Sequence, residues 1–295
     1  MPYHADSLGL SGTVTTLLTE LIHERLGLHY AATDSDALAD RLAPLVVGRG
    51  LASFMDYYYQ LKYSPTEDDW LNVMDALSIQ ETYFWREIDQ LRTVVDHLVP
   101  HLAAAYRGSP LRIWSAACAT GEEPLTIAML LAEAGWFARA PIEIAATDAS
   151  PAAITRARTG LYGRRSFRNL PEALRDKYFV PQGDRWAVSS ELQQRVSYDI
   201  VNLMDEDEVR RHAAVPVIVC RNVFIYFSDR SIRRALSAFE QAMPSPAYLC
   251  VGVSESLLRR TSTFELEEIG GAFVYVKGAP PAPSQACVRD IETTQ

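Results

Sequence analysis

The stretch WSAACATGEEPL, residues 114–125, joins a short apolar run to a helical pattern and could hold a small ligand. Small side chains over 115–120 let a ligand approach the backbone, and Gly121 can adopt a positive φ. One glycine is too few for a phosphate loop, and Glu122 and Glu123 would repel a phosphate. Both suit a helix N-terminus, where the helix dipole favours carboxylates. We interpret Glu122 as a helix-start residue and Glu123 as a candidate ligand-binding residue.

A second candidate is Asp148, which ends the apolar run IEIAATD. A carboxylate about 25 residues beyond the first turn is placed to accept hydrogen bonds from ribose hydroxyls. Asp148 or Ser150 could instead cap the following helix, and both roles are compatible. A ribose-binding carboxylate without a phosphate loop indicates a nucleoside cofactor that lacks a pyrophosphate. S-adenosylmethionine fits, because its cationic sulfonium also suits an acidic pocket wall.

Two further segments carry polar groups among aromatic residues. In VIVCRNVFIYFSD, Arg221 and Asn222 follow a buried strand, and Tyr226 needs a hydrogen-bond partner if it is buried. In SIQETYFWREIDQ, Arg86 follows a run of aromatic residues. Arg86 is either solvated on a hinge helix or buried, and a buried arginine requires an anion.

These candidates must be positioned by a sheet. After about residue 111, β-rich runs alternate with helical ones, which predicts a mostly parallel sheet covered by helices on both faces. Because ligands bind outside the carboxyl ends of such strands, the candidates should converge there. The last strands follow one another without a long helix, which predicts an antiparallel pair. Residues 1–78 are predicted to be helical, with Pro65 and Thr66 starting one helix, and 79–110 to form a linker and connecting helix.

Composition restricts the class of protein. The 295 residues are 48% hydrophobic and 22% charged, with a net charge of −9 that disfavours a general nucleic-acid binder. No apolar run is long enough to span a membrane, and the first residues do not resemble a signal peptide. Four separated cysteines form no C-x-x-C pair, which disfavours a zinc site, and no metal is expected. A cytoplasmic location is the expectation, and residues 279–295 are expected to form a flexible tail.

The motifs together resemble the chemotaxis receptor glutamate O-methyltransferases, the CheR family. The resemblance covers residues 10–278 and includes ETYFWRE, WSAACATGEEPLTIAM, ATDASPAAITRARTGLY, IVNLMD, CRNVFIYF and VGVSESL. It implies an α/β fold, with a Rossmann-like methyltransferase sheet over 111–278, a small helical N-terminal domain, and a short β-subdomain inserted at about 164–200. It also implies methyl transfer from S-adenosylmethionine to glutamate carboxylates on the cytoplasmic helices of chemoreceptors.

The resemblance assigns roles to individual residues. Arg86 and Tyr226 would face the transferred methyl group. Asp148 would bind the ribose and Glu123 the methionine end. Arg86 would also contact the cofactor. The other predicted cofactor contacts are Gln80, Thr82, Asn202, Leu203, Asn222 and Val223. A glutamate carboxylate is already nucleophilic at neutral pH, so no general base is expected.

The chain departs from the family pattern at several positions. Gln80 replaces a common asparagine, Phe84-Trp85 a pair of phenylalanines, Ala117 a glycine, and Val253 a histidine. Residues 1–80 carry four basic and eleven acidic residues, a net charge of −7. A basic helix of this domain docks on receptors in the best-known members, so a different partner or docking face is expected here. The short β-subdomain predicts independence of a C-terminal pentapeptide tether.

Two other functions remain open at the level of sequence. The chain could be a non-catalytic S-adenosylmethionine-binding scaffold of a chemosensory array. It could also methylate a different protein. A small molecule or nucleic acid is disfavoured as the substrate, because the charge is acidic and no N-P-P-Y-type motif is present.

Overall fold

The computed structural model describes residues 8–106 and 108–278. Its N-terminal part contains four helices, α1 Gly12–Leu26, α2 Ser35–Gly48, α3 Phe54–Tyr63 and α4 Glu67–Leu77. Hydroxyl side chains of Ser11, Ser53 and Thr66 accept backbone N–H groups at the starts of α1, α3 and α4. These caps satisfy donors that a helix start leaves free. The predicted helix start at Thr66 is confirmed.

An irregular segment, residues 78–87, leaves this helical part and leads into a continuous helical rod. The rod contains α5 Ile88–Thr93, a π-helical turn Val94–Leu98 and α6 Val99–Ala105. Its apolar side packs on the sheet through Leu91, Val94 and Leu98, all of which are buried.

The large sheet has seven strands in the order β6-β2-β1-β7-β8-β10-β9. The strands are β1 Leu111–Ala116, β2 Ile142–Asp148, β6 Val196–Ile200, β7 Val217–Val219, β8 Ala247–Cys250, β9 Phe264–Ile269 and β10 Ala272–Lys277. The first five strands in this order pair in parallel, whereas β10 pairs antiparallel with β8 and β9. The predicted parallel sheet with an antiparallel end is therefore confirmed.

Helices cover both faces of the sheet. One face packs against α5, α7 Glu122–Glu133 and α9 Pro151–Thr159, and the other against α12 Glu206–Ala213 and α13 Asp229–Ala242. A short helix, α8 Trp136–Arg139, follows α7. Alternate residues of β1 enter the two cores, with Ile113 on one side and Trp114 on the other, as the pleat of a strand requires.

A three-stranded antiparallel sheet, β3-β5-β4, forms the β-subdomain. Its elements are β3 Leu161–Gly163, a 3-10 turn Arg164–Phe167, α10 Glu172–Tyr178, β4 Phe179–Gln182, β5 Arg185–Val188 and α11 Ser190–Gln193. The expected range of 164–200 is wrong at both ends. The small sheet already begins at residue 161, and residues 196–200 pair with β2 in the large sheet. A three-residue strand has too little periodicity to be recognised in the sequence.

Among the described residues, no helix is long and apolar enough to cross a membrane. Residues 1–7 and the expected flexible tail at 279–295, which contains Cys287, lie outside the described ranges.

We expect Gly160→Ala to destabilise the protein more than Gly183→Ala. Both glycines have positive φ, but an added Cβ would lie 2.5 Å from Val188 Cγ1 at Gly160 and would meet nothing within 4 Å at Gly183. The clash should cost about 1–3 kcal/mol beyond the backbone strain that both variants share. Urea unfolding of the two variants measures this difference. Equal free energies of unfolding would contradict the expected clash.

Candidate active site

Hydrogen bonds to the end of β2 fix the turn after β1. The backbone N–H of Ala119 donates to Asp148 Oδ2 at 2.9 Å, and the N–H of Cys118 donates to the carbonyl of Thr147 at 2.8 Å. Asp148 Oδ1 accepts the N–H of Ser150 at 2.9 Å. Ser150 rather than Asp148 caps α9, so the Asp148 carboxylate joins the two turns at the carboxyl ends of adjacent strands. Burial raises the pKa of Asp148.

The two glutamates at the start of α7 have different surroundings. Glu123 Oε1 accepts the hydroxyl of Ser115 at 2.7 Å, and burial raises the pKa of its carboxyl. Glu122 is more completely buried than Glu123 and faces the β-subdomain, where Ser166 Oγ donates to its Oε1 at 2.9 Å. Glu122 does start the helix, as expected, but it also joins the subdomain to the large sheet, which the sequence did not indicate.

The turn after β7 is built around a buried carboxylate, Glu255. Its Oε2 accepts the backbone N–H groups of Asn222 and Gly252, each at 2.7 Å, and its Oε1 accepts the N–H of Ile225 at 3.3 Å. An added Cβ at Gly252 would lie 2.6 Å from Asn222 Nδ2, so this position requires glycine. Glu255 lies in VGVSESL, one of the motifs of the resemblance, but it is not among the site residues that the sequence predicts.

Arg221 follows a buried strand, as the sequence predicts, but it is not among the predicted site residues. Its side chain is only 1% exposed, and its Nη2 donates to the carbonyl of Arg86 at 2.6 Å. Glu87 Oε2 and Glu123 Oε2 lie on either side, each 3.6 Å from a guanidinium nitrogen. Nε and Nη1 are buried without a hydrogen-bond partner among the described residues. A buried arginine with free donors beside a cavity is suited to an anionic group.

The segment before α5 supplies Arg86. Its side chain is 25% exposed, and its Nη1 donates to the carbonyl of Glu81 at 2.7 Å. Glu87 Oε1 accepts the amide of Asn222 at 3.1 Å, which ties this segment to the turn after β7. Arg86 lines the cavity described below, so it is neither fully solvated nor fully buried.

Backbone strain is concentrated around these turns. Six described non-glycine residues have positive φ, and five of them lie in the segments just described, which costs roughly 1 kcal/mol or more each. They are Trp85, Glu87, Ala117, Ala119 and Asn222. Ala117, with a φ of 57°, adopts this conformation where the family commonly has glycine.

The helical N-terminal part closes the site. The backbone N–H of His29 donates to the carbonyl of Tyr226 at 2.9 Å, and Asn202 Nδ2 donates to the carbonyl of Arg25 at 2.8 Å. On the other side, Asp75 of α4 accepts the hydroxyl of Ser150 and the N–H of Ala152. The N-terminal part is therefore attached to three of the turns that form the site, those after β2, β6 and β7.

A cavity of about 360 Å³ lies between these turns and the N-terminal helices. Nine of the ten predicted site residues line it: Thr82, Arg86, Glu123, Asp148, Asn202, Leu203, Asn222, Val223 and Tyr226. Gln80 does not. Its amide donates to Ser150 Oγ at 3.0 Å and accepts from Arg156 Nη1 at 3.1 Å, so it supports the Asp148 turn from outside. The roles of these residues toward a ligand remain predictions.

The cavity lining fits S-adenosylmethionine. Glu123 and Asp148 provide partly buried acidic groups for a cationic, ribose-containing ligand, and the unpaired donors of Arg221 match its carboxylate. The apolar side chains of Leu203 and Val223 suit its uncharged parts. Within the described ranges, no cluster of three or more potential metal ligands occurs.

A Rossmann-like sheet with such a cavity at the carboxyl ends of its strands defines a methyltransferase that uses S-adenosylmethionine. Residues 80–272 match the model of the CheR methyltransferase, S-adenosylmethionine-binding domain. This match covers more than half of the sequence, and the chain therefore belongs to the CheR methyltransferase family.

Several curated proteins are similar over most of the chain. Chemotaxis protein methyltransferase 2 of Vibrio cholerae is 34% identical over 228 residues, which cover 76% of this chain and 79% of that protein. A chemotaxis protein methyltransferase of Borreliella burgdorferi is 31% identical, over 81% of this chain and 87% of that protein. A probable biofilm formation methyltransferase of Pseudomonas putida is 29% identical, over 92% of this chain and 65% of that protein.

We expect Asp75→Ala to weaken binding of S-adenosylmethionine about fivefold, which corresponds to one lost hydrogen bond of about 1 kcal/mol. Asp75 orients Ser150, and the Ser150 N–H in turn holds Asp148. Asp75→Asn should restore binding, because its amide oxygen still accepts. Asp68→Ala, an exposed position on the same helix, is the control for lost charge. Titration calorimetry measures the dissociation constants, and equal values for the two alanine variants would contradict this role.

Proposed function

We propose that the protein transfers a methyl group from S-adenosylmethionine to glutamate side chains on the cytoplasmic helices of chemoreceptors. The products are a glutamate methyl ester and S-adenosylhomocysteine. One observation carries this proposal: Arg86 and Tyr226 line the same cavity as the partly buried acidic residues Glu123 and Asp148. The cavity thus combines groups suited to a cationic methyl donor with groups suited to a carboxylate acceptor.

The reaction needs little help from acid–base chemistry. S-adenosylmethionine supplies a methyl group on a positively charged sulfur, and the C–S bonding pair stays on sulfur as the carboxylate oxygen bonds to carbon. No proton is transferred, so a general base is unnecessary. The work of the protein is to align the two reactants and to exclude water.

Arg86 and Tyr226 are proposed to orient the acceptor. The Arg86 guanidinium can donate to one oxygen of an incoming carboxylate, a charge-assisted hydrogen bond. The hydroxyl of Tyr226 can donate to the other carboxylate oxygen. The carbonyl of Tyr226 accepts the N–H of His29, which fixes the backbone at this position. Arg221 holds the carbonyl of Arg86, which positions the backbone from which the Arg86 side chain extends.

The relatives support the choice of a chemosensory partner, since two of them are named chemotaxis protein methyltransferases. The biofilm-related relative supports a receptor outside chemotaxis as the alternative partner. We also propose that the protein acts in the cytoplasm. We further propose that it acts without a receptor tether, because the β-subdomain has only three short strands.

The function is tested by incubating the protein with labelled S-adenosylmethionine and receptor cytoplasmic fragments, followed by mild base. Glutamate methyl esters are base-labile, so label should be released as a volatile product. Cofactor binding without base-labile label on any fragment would contradict transfer to receptors and would favour the scaffold alternative.

We expect Arg86→Ala to retain binding of S-adenosylmethionine but to lower kcat by about 100-fold, because a donor that orients the acceptor is lost. Arg92→Ala removes an exposed arginine outside the cavity and should behave like the wild type. Calorimetric binding and the labelled-methyl assay together separate the two effects. Turnover within a few-fold of the wild type would disprove the assigned role.

A further inference from the structure

An arginine cluster interrupts the otherwise acidic chain next to the cavity. Between residues 149 and 171 the sequence contains five arginines and no aspartate or glutamate, although the whole chain has a net charge of −9. Four of these arginines form a group that we call the arginine rim: Arg156, Arg164, Arg165 and Arg168.

Two arginines of the rim contact the segment that supplies Arg86. Arg168 Nη2 lies 2.8 Å from Glu81 Oε1, and its guanidinium lies 3.6 Å from the centre of the Tyr83 ring. Arg156 Nη1 donates to Gln80 Oε1 at 3.1 Å. The hydrogen bond from Arg168 lowers the pKa of Glu81, and the charges of Arg168, Arg165 and Arg86 act in the same direction.

This positive charge is poorly compensated. Glu81 is the acidic residue that contacts the rim, and its partner is Arg168. Arg164 and Arg165 are exposed, and neither guanidinium has a hydrogen bond or an ion pair with any other described residue. Arg233, which is also exposed, is by contrast paired with an acidic residue, Asp229. An uncompensated cluster on an acidic protein is a site for an acidic partner.

The position of the rim relates it to the reaction. Glu81, Thr82, Tyr83 and Arg86 line the cavity, so the rim and the cavity share one segment. A helix repeats about every 5.4 Å, so side chains one turn from an inserted glutamate lie close to that glutamate. Carboxylates on those neighbouring turns would lie over the rim when the glutamate enters the cavity.

We propose that the arginine rim is the docking surface for an acidic helix that carries the target glutamate. This inference rests on the proposed function and adds the surface that recognises the substrate. The N-terminal domain, with its net charge of −7, would repel the same helix and direct it toward the rim. The rim suits an acidic protein better than a nucleic acid, because Arg168 covers the face of Tyr83 on which a base would stack.

The double variant Arg164→Glu/Arg165→Glu tests the surface without altering the cavity. The matched control is Arg92→Glu/Arg139→Glu, which makes the same change in charge at exposed positions away from the rim. With a receptor fragment that the wild type methylates, the rim variant should raise the KM for the fragment about tenfold. Its kcat and its KM for S-adenosylmethionine should stay unchanged, as should all three values in the control. Equal KM values for the two double variants would overturn the proposal.

A binding measurement makes the inference independent of turnover. A labelled helical peptide of about 20 residues, rich in glutamate and alanine, serves as the probe in fluorescence anisotropy. The wild type and the control should bind it in a salt-dependent manner, and the rim variant should lose this binding. If the peptide binds at the rim but no receptor fragment is methylated, the proposed function fails while the docking surface stands. Tighter binding of a single-stranded oligonucleotide than of the peptide, or equal peptide binding by the rim variant, would overturn the docking surface.

Discussion

The buried guanidinium of Arg221 is the group on which the site depends. It lies between the carboxylates of Glu87 and Glu123 and holds the carbonyl of Arg86. These contacts connect the turn after β7, the start of α7 and the segment before α5. A buried cation is costly unless it is surrounded by opposite charge, so the three segments are held together at this point. Two nitrogens of this guanidinium, Nε and Nη1, have no hydrogen-bond partner among the described residues, and Arg221 lines the cavity in which the carboxylate of the cofactor is expected.

The strained backbone around the cavity is held by two carboxylates, those of Asp148 and Glu255. Ala117, Ala119 and Asn222 adopt positive φ in turns whose N–H groups point at Asp148 or Glu255. Each buried carboxylate thus gathers backbone donors that would otherwise remain unpaired, and these hydrogen bonds offset the strain. The result is a rigid wall of small residues, which leaves room for a nucleoside without a glycine-rich loop.

The sequence predicted the parallel sheet, its antiparallel end and nine residues that line the cavity. The sheet and the positions of Glu123, Asp148 and Asn222 were predictable from local patterns, because the carboxyl ends of strands meet at one edge of any parallel sheet. Thr82, Asn202, Leu203 and Val223 were predicted from the family resemblance. Gln80 lies outside the cavity because its longer amide reaches Ser150 instead. The roles of Glu255 and Arg221 could not be predicted locally, because Glu255 joins Gly252 to Asn222 and Ile225, which lie 30 or more residues away, and Arg221 contacts the distant Arg86. The boundaries of the β-subdomain were wrong because three-residue strands carry almost no periodic signal.

The sequence by itself determined the helical N-terminal part, the alternation of strands and helices in the large sheet, the acidic groups of the pocket and the absence of a phosphate loop. These properties follow from residue type and spacing, which do not change on folding. Only the tertiary structure decided that Glu122 supports the β-subdomain and that Asp75 holds the Asp148 turn from the N-terminal domain. It also decided that Arg168 contacts Glu81 and Tyr83, which line the cavity. Such contacts join segments from different helices and strands, so their partners are set by packing rather than by local sequence.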